Sequence, residues 1–150
     1  MSNHSACFFF VCRKWRKDMK KKIEVVAAAI FSQCGQQLFI AKRASQAHQG
    51  GLWEFPGGKK ELGETAQQAL TRELKEEIGI EVTTQIPLVK LEHDYGDKLI
   101  ELDVYSVTGF IGEPCGAEGQ ETKWIALTEI DDYQFPDANL AIIDALKKAF

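Results

Sequence analysis

One stretch constrains the fold most, because it carries both the start and the stop signals of a helix: Gly58 to Ile80, GKKELGETAQQALTRELKEEIGI. Thr65, followed three residues later by Gln68, forms a capping box, which predicts that the helix begins at about Thr65. Gly79 predicts the helix end as a left-handed C-cap, with Ile80 available for an apolar contact beyond it. Between these signals, apolar residues recur at three- and four-residue steps and predict one buried face: Ala66, Ala69, Leu70, Leu74 and Ile78.

The opposite face of this helix carries three carboxylates. Glu73, Glu76 and Glu77 stand at positions i, i+3 and i+4, so their side chains converge on one strip of the surface. Such like charges repel one another, and the helix dipole also disfavours anions toward the C-terminus. With Glu64 upstream, the cluster predicts a site for a hard cation such as Mg²⁺, which binds carboxylate oxygens and keeps positions for water and phosphate. Arg72 is placed to fork onto one of these glutamates and hold it.

The pattern G-x5-E-x7-R-E-U-x-E-E-x-G-U, in which U is apolar, is filled at every position by Gly58, Glu64, Arg72, Glu73, Leu74, Glu76, Glu77, Gly79 and Ile80. In this pattern the stretch resembles the signature box of the Nudix hydrolases. The resemblance implies a metal-dependent hydrolase with the Nudix fold, a mixed β-sheet sandwiched between helices in α/β/α layers (class α/β or α+β).

The remaining chain predicts the same layering, one mixed sheet with helices packed on it. Strands are predicted at residues 23–31, 37–43, 52–55, 81–92 (as one or two strands, broken at Pro87), 99–110 and 124–127. Pro56-Gly57-Gly58 is predicted to end a strand and open a loop, and residues 109–119 form a Gly-rich loop. A last helix opens at Pro136-Asp137, with a predicted apolar stripe of Leu140, Ile143, Ala145, Leu146 and Ala149.

Residues 1–18 differ in character from the rest of the chain. The apolar run from Ala6 to Cys12 is too short to span a membrane, and the basic residues come after it rather than before it. We predict that the functional chain begins near Met19, as a single Nudix domain over residues 19–150, with residues 1–18 as an upstream extension. A basic-aromatic arm that contacts lipid is the alternative role for this extension.

Size and charge limit the classes of function. A chain of 150 residues that is 45% hydrophobic can bury a core as one domain. Its net charge of −4 argues against a nucleic-acid or membrane surface, which would be basic. The four cysteines show neither C-x-x-C spacing nor a disulfide-dense pattern, which favours free thiols in a reducing compartment. We therefore expect a cytoplasmic protein without nucleic-acid or membrane partners.

Flanking stretches extend the resemblance to the branch of the family that hydrolyses 8-oxo-dGTP: AKRASQAH, LWEFPGGK, GEPCGAEGQ at residues 112–120 and FPDAN at residues 135–139. This branch implies attack of water at the β-phosphorus of a nucleoside triphosphate, which gives a monophosphate and pyrophosphate. The implied role is nucleotide-pool sanitation that prevents mutation during DNA replication. The resemblance further implies Mg²⁺, for which Mn²⁺ can substitute, and a monomer.

The resemblance also implies roles for single residues. The implied metal ligands are the carbonyl of Gly57, the carboxylates of Glu73, Glu76 and Glu77, and Glu118 in the later Gly-rich loop. The implied substrate contacts are Arg43 and His48 at the phosphates, Asn139 at the purine edge, and Phe55 and the turn at Asp97 and Lys98 around the base. Arg72 belongs to the catalytic set, and Glu73 and Glu118 both stay open as the general base.

Two other functions are compatible with the sequence. The stretches IEVVAAAI and GLWEFPGGK also resemble pyrophosphohydrolases of the same family that act on CTP and 5-hydroxy-CTP. Asn139 favours the purine, because an amide can pair with both O6 and the protonated N7 of 8-oxoguanine, although Asn is also common at helix starts. A nucleotide-binding Nudix sensor without activity is the more distant alternative; such modules typically lose a catalytic glutamate, whereas this box is complete.

Overall fold

The computed structural model describes residues 20–43 and 50–150, so the predicted extension over residues 1–18 and the predicted phosphate contact His48 lie outside the described residues. Within these ranges, one sheet is formed by β1 (Lys21–Phe31), β2 (Gln37–Lys42), β3 (Trp53–Glu54), β4 (Gly57–Lys59), β5 (Glu81–Asp94), β6 (Lys98–Ile111) and β7 (Thr122–Ala126). The helices are α1 (Ala66–Ile78), α2 (Asp137–Ala149) and a 3-10 helix, Leu127–Asp132. None of them is long and apolar enough to cross a membrane.

The sheet is mixed, as predicted. Its strand order is β3-β2-β1-β6-β5, with β4 paired to β1 and β7 paired to β2. Only the β1–β6 pair is parallel among these strands. The β1–β2 pairing, at Ile30 opposite Phe39, is short; β3 then pairs with β2, and β4 pairs with β1. Because β4 pairs with β1, its residues Gly57 and Gly58 lie beside the middle of β1.

A helix covers each face of the sheet. Helix α1 packs on one face through Leu70, Leu74 and Ile78, and α2 packs on the other through Ile142 and Leu146. Alternating side chains of β1 and β2 enter both clusters, because successive strand residues point to opposite faces. Each such buried aliphatic side chain contributes about 1.5–3 kcal/mol. The predicted α/β/α layering is confirmed.

Both predicted ends of α1 are confirmed. The Thr65 hydroxyl accepts a hydrogen bond from the N–H of Gln68 at 3.1 Å, and the Gln68 side chain accepts one from the N–H of Thr65 at 2.9 Å. Gly79 ends the helix with a φ of 73°, a left-handed conformation that favours glycine. Two local caps thus fix where the helix begins and where it ends.

Two predictions about the strands were wrong. Gly57–Lys59 is a strand rather than the start of a loop, because its backbone pairs with Val25–Ala27 of β1. Strand β5 is not broken at Pro87; it continues from Glu81 to Asp94, with a shift in register between Pro87 and Val89. A proline is tolerated there because β5 lies at the edge of the sheet. The register shift at this position also means that the N–H that proline lacks is not needed for strand pairing.

The C-terminal part also differs from the prediction. Strand β6 extends to Ile111, so the Gly-rich loop begins only at Gly112, and the 3-10 helix after β7 was not predicted. In α2, Leu140 is 50% exposed and Ala149 is exposed, whereas Ile142 is buried. The residues of α2 that pack on the sheet are thus Ile142, Ile143 and Leu146. Ile143 and Leu146 belong to the predicted stripe, whereas Ile142 takes the place of Leu140 and Ala149.

Candidate active site

The carboxylates of α1 lie against the glycines of β4. Glu77 Oε2 accepts a hydrogen bond from the N–H of Gly57 at 3.1 Å. A Cβ atom built on Gly58 would lie 2.3 Å from the carboxyl carbon of Glu73, closer than real Cβ contacts allow. Glycine at position 58 is therefore what lets the Glu73 carboxylate rest on the strand backbone.

Glu77 is the most strongly perturbed carboxyl group of this cluster. Burial raises the pKa of Glu77 to about 7, and the charges of Glu54, Glu118 and Glu73 act in the same direction, against the hydrogen bond from Gly57. Several carboxylates around one buried carboxylate form an unfavourable arrangement that a cation would relieve. Their hard oxygen donors fit a divalent cation such as Mg²⁺.

The carboxylates are near one another but are not gathered into a finished metal site. Within residues 20–43 and 50–150, no three His, Cys, Asp or Glu side chains are close enough together to hold a metal ion. A bound cation would have to draw the carboxylates of Glu73, Glu76 and Glu77 together, which long side chains on one helix face allow.

The sequence predicts that Arg72 forks onto one of the glutamates, and in the structure that glutamate is Glu64. Arg72 Nε lies 2.6 Å from Glu64 Oε1 and its Nη2 lies 3.1 Å from Glu64 Oε2, while Nη1 reaches Glu73 Oε1 at 3.0 Å and Glu76 Oε2 at 3.4 Å. The guanidinium group lowers the pKa of Glu64 to about 2, assisted by the N–H of Glu61. Arg72 thus ties the loop before α1 to two of the proposed metal ligands.

A second ion pair joins Arg43, a predicted phosphate contact, to Glu54, which the sequence analysis did not select. Arg43 Nη1 lies 2.7 Å from Glu54 Oε2, and both side chains are half-buried. Burial raises the pKa of Glu54, whereas the charge of Arg43 and its hydrogen bond lower it. The available signal was a carboxylate inside the apolar strand LWEF, immediately before the Pro-Gly-Gly turn.

The Gly-rich loop folds back onto the end of α1. The N–H of Cys115 donates to the carbonyl of Ile78 at 3.0 Å, and the N–H of Ala117 donates to the carbonyl of Glu77 at 3.1 Å. The Gln120 amide donates to the same Glu77 carbonyl at 3.1 Å. These bonds satisfy carbonyls at the helix end and bring Glu118 near enough to raise the pKa of Glu77.

The predicted base contacts are distributed along the face that α2 covers. Phe55 is buried and stacks on Phe135, with ring centroids 5.3 Å apart. Asn139 is half-buried in the first turn of α2, four residues after Phe135.

Lys98 does not join the carboxylates. It is exposed, and it pairs with Lys21, whereas Gly57 pairs with Ala27. The two pairing positions, Lys21 and Ala27, are six residues apart on β1, which corresponds to about 20 Å along the strand.

Further residues on this face were missed by the sequence analysis. Ile23 and Val25 of β1 and Leu102 of β6 are only half-buried, although Ala27, on the same face by strand alternation, is buried. An apolar face left partly uncovered can take a flat aromatic ligand. The continuous apolar run of β1 predicts complete burial, so nothing in the sequence marks these positions.

The comparison with known families assigns the chain. The model of the NUDIX domain matches residues 26–145. The chain belongs to the Nudix family. The resemblance seen in residues 58–80 is thereby confirmed, as is the prediction of a hydrolase.

Three relatives of this Nudix chain illustrate its place in the family. It is 40% identical over 128 residues to the 8-oxo-dGTP diphosphatase of Escherichia coli, covering 85% of this chain and 98% of that protein. It is 37% identical over 125 residues to the CTP pyrophosphohydrolase of Escherichia coli, covering 83% of this chain and 91% of that protein. A solved MutT structure, from work on Aliivibrio salmonicida and Vibrio cholerae, superposes with a TM-score of 0.78 at 42% identity, covering 87% of this chain and all of the other. Nudix hydrolases generally require a divalent metal.

Proposed function

We propose that this Nudix hydrolase converts 8-oxo-dGTP to 8-oxo-dGMP and pyrophosphate, and so keeps an oxidised nucleotide out of DNA. The observation that carries the proposal is 40% identity, over 128 residues, to an 8-oxo-dGTP diphosphatase. In the proposed step a water oxygen bonds to the β-phosphorus, the bridging oxygen leaves with the monophosphate, and the water proton passes to a carboxylate. The complete set of box glutamates supports hydrolysis rather than binding alone.

The proposed cofactor is Mg²⁺, with Mn²⁺ as a substitute. Glu73, Glu76 and Glu77 would hold it, with Glu118 and the carbonyl of Gly57 as further ligands. When bound, such a cation neutralises charge on the phosphate chain and lowers the pKa of water. The support is the group of carboxylates around the buried Glu77. Glu73 and Glu118 both remain candidates for the proton acceptor.

Substrate recognition would use residues on both sides of the glutamate cluster of α1. Arg43, together with His48, would contact the phosphates, while Phe55 and Lys98 would border the base. The half-covered apolar face at Ile23, Val25 and Leu102 supports a flat base bound beside α2. The Asn139 amide would read the purine edge through its donor and acceptor.

A second candidate activity is the pyrophosphohydrolysis of CTP and 5-hydroxy-CTP. It is favoured by the 37% identity, over 125 residues, to a CTP pyrophosphohydrolase. The two activities share the metal and the glutamates and differ only in the base pocket, so a substrate panel separates them.

The test is a comparison of initial rates on 8-oxo-dGTP, dGTP, CTP and 5-hydroxy-CTP with Mg²⁺, with the products resolved by chromatography. We expect a strong preference for 8-oxo-dGTP and release of pyrophosphate rather than phosphate. A preference for the cytosine nucleotides would retain the chemistry but overturn the proposed base. Binding without turnover of any of them would favour a Nudix sensor.

Variants at the glutamates test the metal ligands. Glu73→Gln and Glu77→Gln should each lower turnover by orders of magnitude while leaving the fold intact, because each removes a charged oxygen donor. Glu129→Gln, at an exposed position of the 3-10 helix, is the matched control. Near-normal turnover in both cluster variants would refute the metal assignment.

The proposal includes a monomer that works in the cytoplasm and binds no nucleic acid. The net charge of −4 supports the last point, and the free thiols of Cys34 and Cys115 are compatible with a reducing compartment. Sedimentation equilibrium, with and without a DNA duplex, would reveal an oligomer or a nucleic-acid complex.

A further inference from the structure

We propose that Gln120 is a positioning residue that holds the backbone of Glu118 against the C-terminal end of α1. Its side-chain amide bonds in two directions, to the helix residue Glu77 and to the loop residue Glu118. The inference rests on the proposed function, because it takes Glu118 as a metal ligand or proton acceptor of the hydrolysis. Neither the box pattern nor the roles carried over from the family include Gln120.

The two hydrogen bonds use both ends of the Gln120 amide. Nε2 donates to the carbonyl oxygen of Glu77 at 3.1 Å. Oε1 accepts from the backbone N–H of Glu118 at 3.0 Å. The carbonyl requires a donor and the N–H requires an acceptor, and a side-chain amide offers both on one planar group. Gln120 thus links Glu118 directly to the last turn of the helix.

The backbone of Gln120 is fixed by the sheet. The carbonyl of the next residue, Glu121, accepts a hydrogen bond from the N–H of Lys42 at 2.9 Å, where β7 begins to pair with β2. Gln120 is half-buried, whereas Glu118 is exposed. Because packing restrains an exposed residue little, the position of Glu118 depends on the hydrogen bonds of the loop backbone.

The helix end does not need Gln120 for capping. The N–H of Ala117 already donates to the carbonyl of Glu77 at 3.1 Å, and the Gln120 amide makes a second bond to the same oxygen. The turn also closes tightly on Gln120: the N–H of Gly119 donates to the carbonyl of Gly116 at 2.9 Å, and a Cβ atom on Gly116 would clash with the Gln120 carbonyl oxygen. The bond from Gln120 therefore restrains the loop rather than caps the helix.

A role through Glu118 and a purely structural role predict different results. If Gln120 acts through Glu118, loss of the amide frees the Glu118 N–H, and turnover falls only while the Glu118 carboxylate is present. If Gln120 only stabilises the fold, loss of the amide lowers turnover equally with and without that carboxylate.

The first measurement is amide hydrogen exchange, followed by NMR, on the protein without metal or nucleotide. In Gln120→Ala we expect the N–H of Glu118 to exchange about tenfold faster, as for the loss of one or two hydrogen bonds. The N–H of Lys42, in the neighbouring sheet, should keep its rate. Gln36→Ala, at an exposed position between β1 and β2, is the matched control. Unchanged exchange at Glu118 would overturn the proposal.

The second measurement is a double-mutant cycle on kcat, with saturating Mg²⁺ and the nucleotide that the substrate panel selects. The variants are Gln120→Ala, Glu118→Gln and the double variant. We expect Gln120→Ala to lower kcat about tenfold in the unmutated protein, and by less than about twofold in the Glu118→Gln background. Equal losses in both backgrounds would contradict the proposal, because Gln120 would then act without Glu118.

A second variant separates the lost hydrogen bonds from lost packing. Gln120→Met nearly keeps the length of the side chain but donates no hydrogen bond and accepts only weakly. It should give the same two results, and circular dichroism melting checks that each variant folds. Wild-type exchange and kcat in Gln120→Met would mean that the bulk of the side chain, not its amide, holds the loop, and would overturn the proposal.

The two measurements also separate this inference from the proposed function. Hydrogen exchange requires no nucleotide, so it tests the hold of Gln120 on Glu118 even if none of the proposed substrates is hydrolysed. Near-normal kcat in Glu118→Gln would overturn the proposed role of Glu118, whereas unchanged exchange overturns only the role of Gln120.

Discussion

Arg72 holds Glu64 with two nitrogen atoms, Nε at 2.6 Å and Nη2 at 3.1 Å, and the same guanidinium group also donates to the carbonyl of Lys59 at 3.2 Å. One side chain on α1 thus fixes both ends of the loop that enters the helix. Its third nitrogen, Nη1, contacts Glu73 at 3.0 Å. The orientation of a proposed metal ligand therefore depends on the planar shape of arginine as well as on its charge.

Arg72→Lys tests this dependence. Lysine keeps the charge but cannot fork onto Glu64 while also reaching Glu73, so we expect kcat/KM to fall about 10- to 100-fold, as for the loss of one or two charge-assisted hydrogen bonds. Steady-state kinetics with saturating Mg²⁺ measures the effect. Glu64→Gln should show a similar loss, and the double variant should add little to it. Unchanged kinetics in Arg72→Lys would show that the charge alone suffices.

Gly58→Ala tests the contact between β4 and the glutamates. The added methyl group would lie within 2.6 Å of both Glu73 carboxylate oxygens and would push the carboxylate away, so we expect a loss in kcat of at least about tenfold. The matched control is Gly109→Ala, whose methyl group would meet Thr83 Oγ1 at 2.7 Å, outside the glutamate cluster. That control should lose stability in thermal melts but retain its rate. Equal rate losses in the two variants would contradict the assignment.

Glu101 predicts a pH dependence of stability. It is 8% exposed and pairs with Lys22 at 2.5 Å and Lys90 at 2.8 Å, and these hydrogen bonds hold the pKa of Glu101 below its ordinary value. The folded state therefore binds fewer protons than the unfolded chain between the two pKa values. The resulting stability is present above the ordinary glutamate pKa of about 4.3 and is lost as the pH falls through the folded pKa.

Glu101→Gln should accordingly lower the free energy of unfolding at pH 7, by about 1 kcal/mol. The difference from the unmutated protein should begin to shrink below the ordinary glutamate pKa of about 4.3, where the unfolded chain takes up a proton first, and it should be lost as the pH falls through the lower folded pKa. Urea unfolding at several pH values measures it, with the exposed Glu129→Gln as control. A difference that stays constant down to pH 3 would rule out the ion pairs as its source.

Thr65→Ala tests the start of α1. Removal of the hydroxyl leaves the N–H of Gln68 without its capping partner, which should lower the free energy of unfolding by about 1 kcal/mol. Thr128→Ala, at an exposed position of the 3-10 helix, should change it much less. Urea midpoints compare the two variants. Equal midpoints would mean that tertiary packing alone fixes the helix start.

The features predicted from sequence are those that short segments determine. The capping box at Thr65, the C-cap at Gly79 and the fork of Arg72 onto a glutamate all depend on residues within one helix or its adjacent loop. The strand at Gly57 and the continuity of β5 through Pro87 depend on which strand lies alongside, which no local pattern encodes. The sequence analysis missed Glu54 for the same reason, because its partner Arg43 is eleven residues away across a strand pair. The exposure of Leu140 likewise depends on which side of α2 meets the sheet.

The two caps of α1 also set the direction in which its glutamate side chains point. A single residue inserted between Thr65 and Glu77 would turn every later side chain by about 100° relative to the helix start and rotate Glu77 away from Gly57. The Gly-rich loop would move with it, because the N–H groups of Cys115 and Ala117 are bonded to the helix end. Changes in chain length can therefore be accommodated in exposed turns such as residues 33–36 or 95–97, whereas an insertion in this helix would misplace the glutamates.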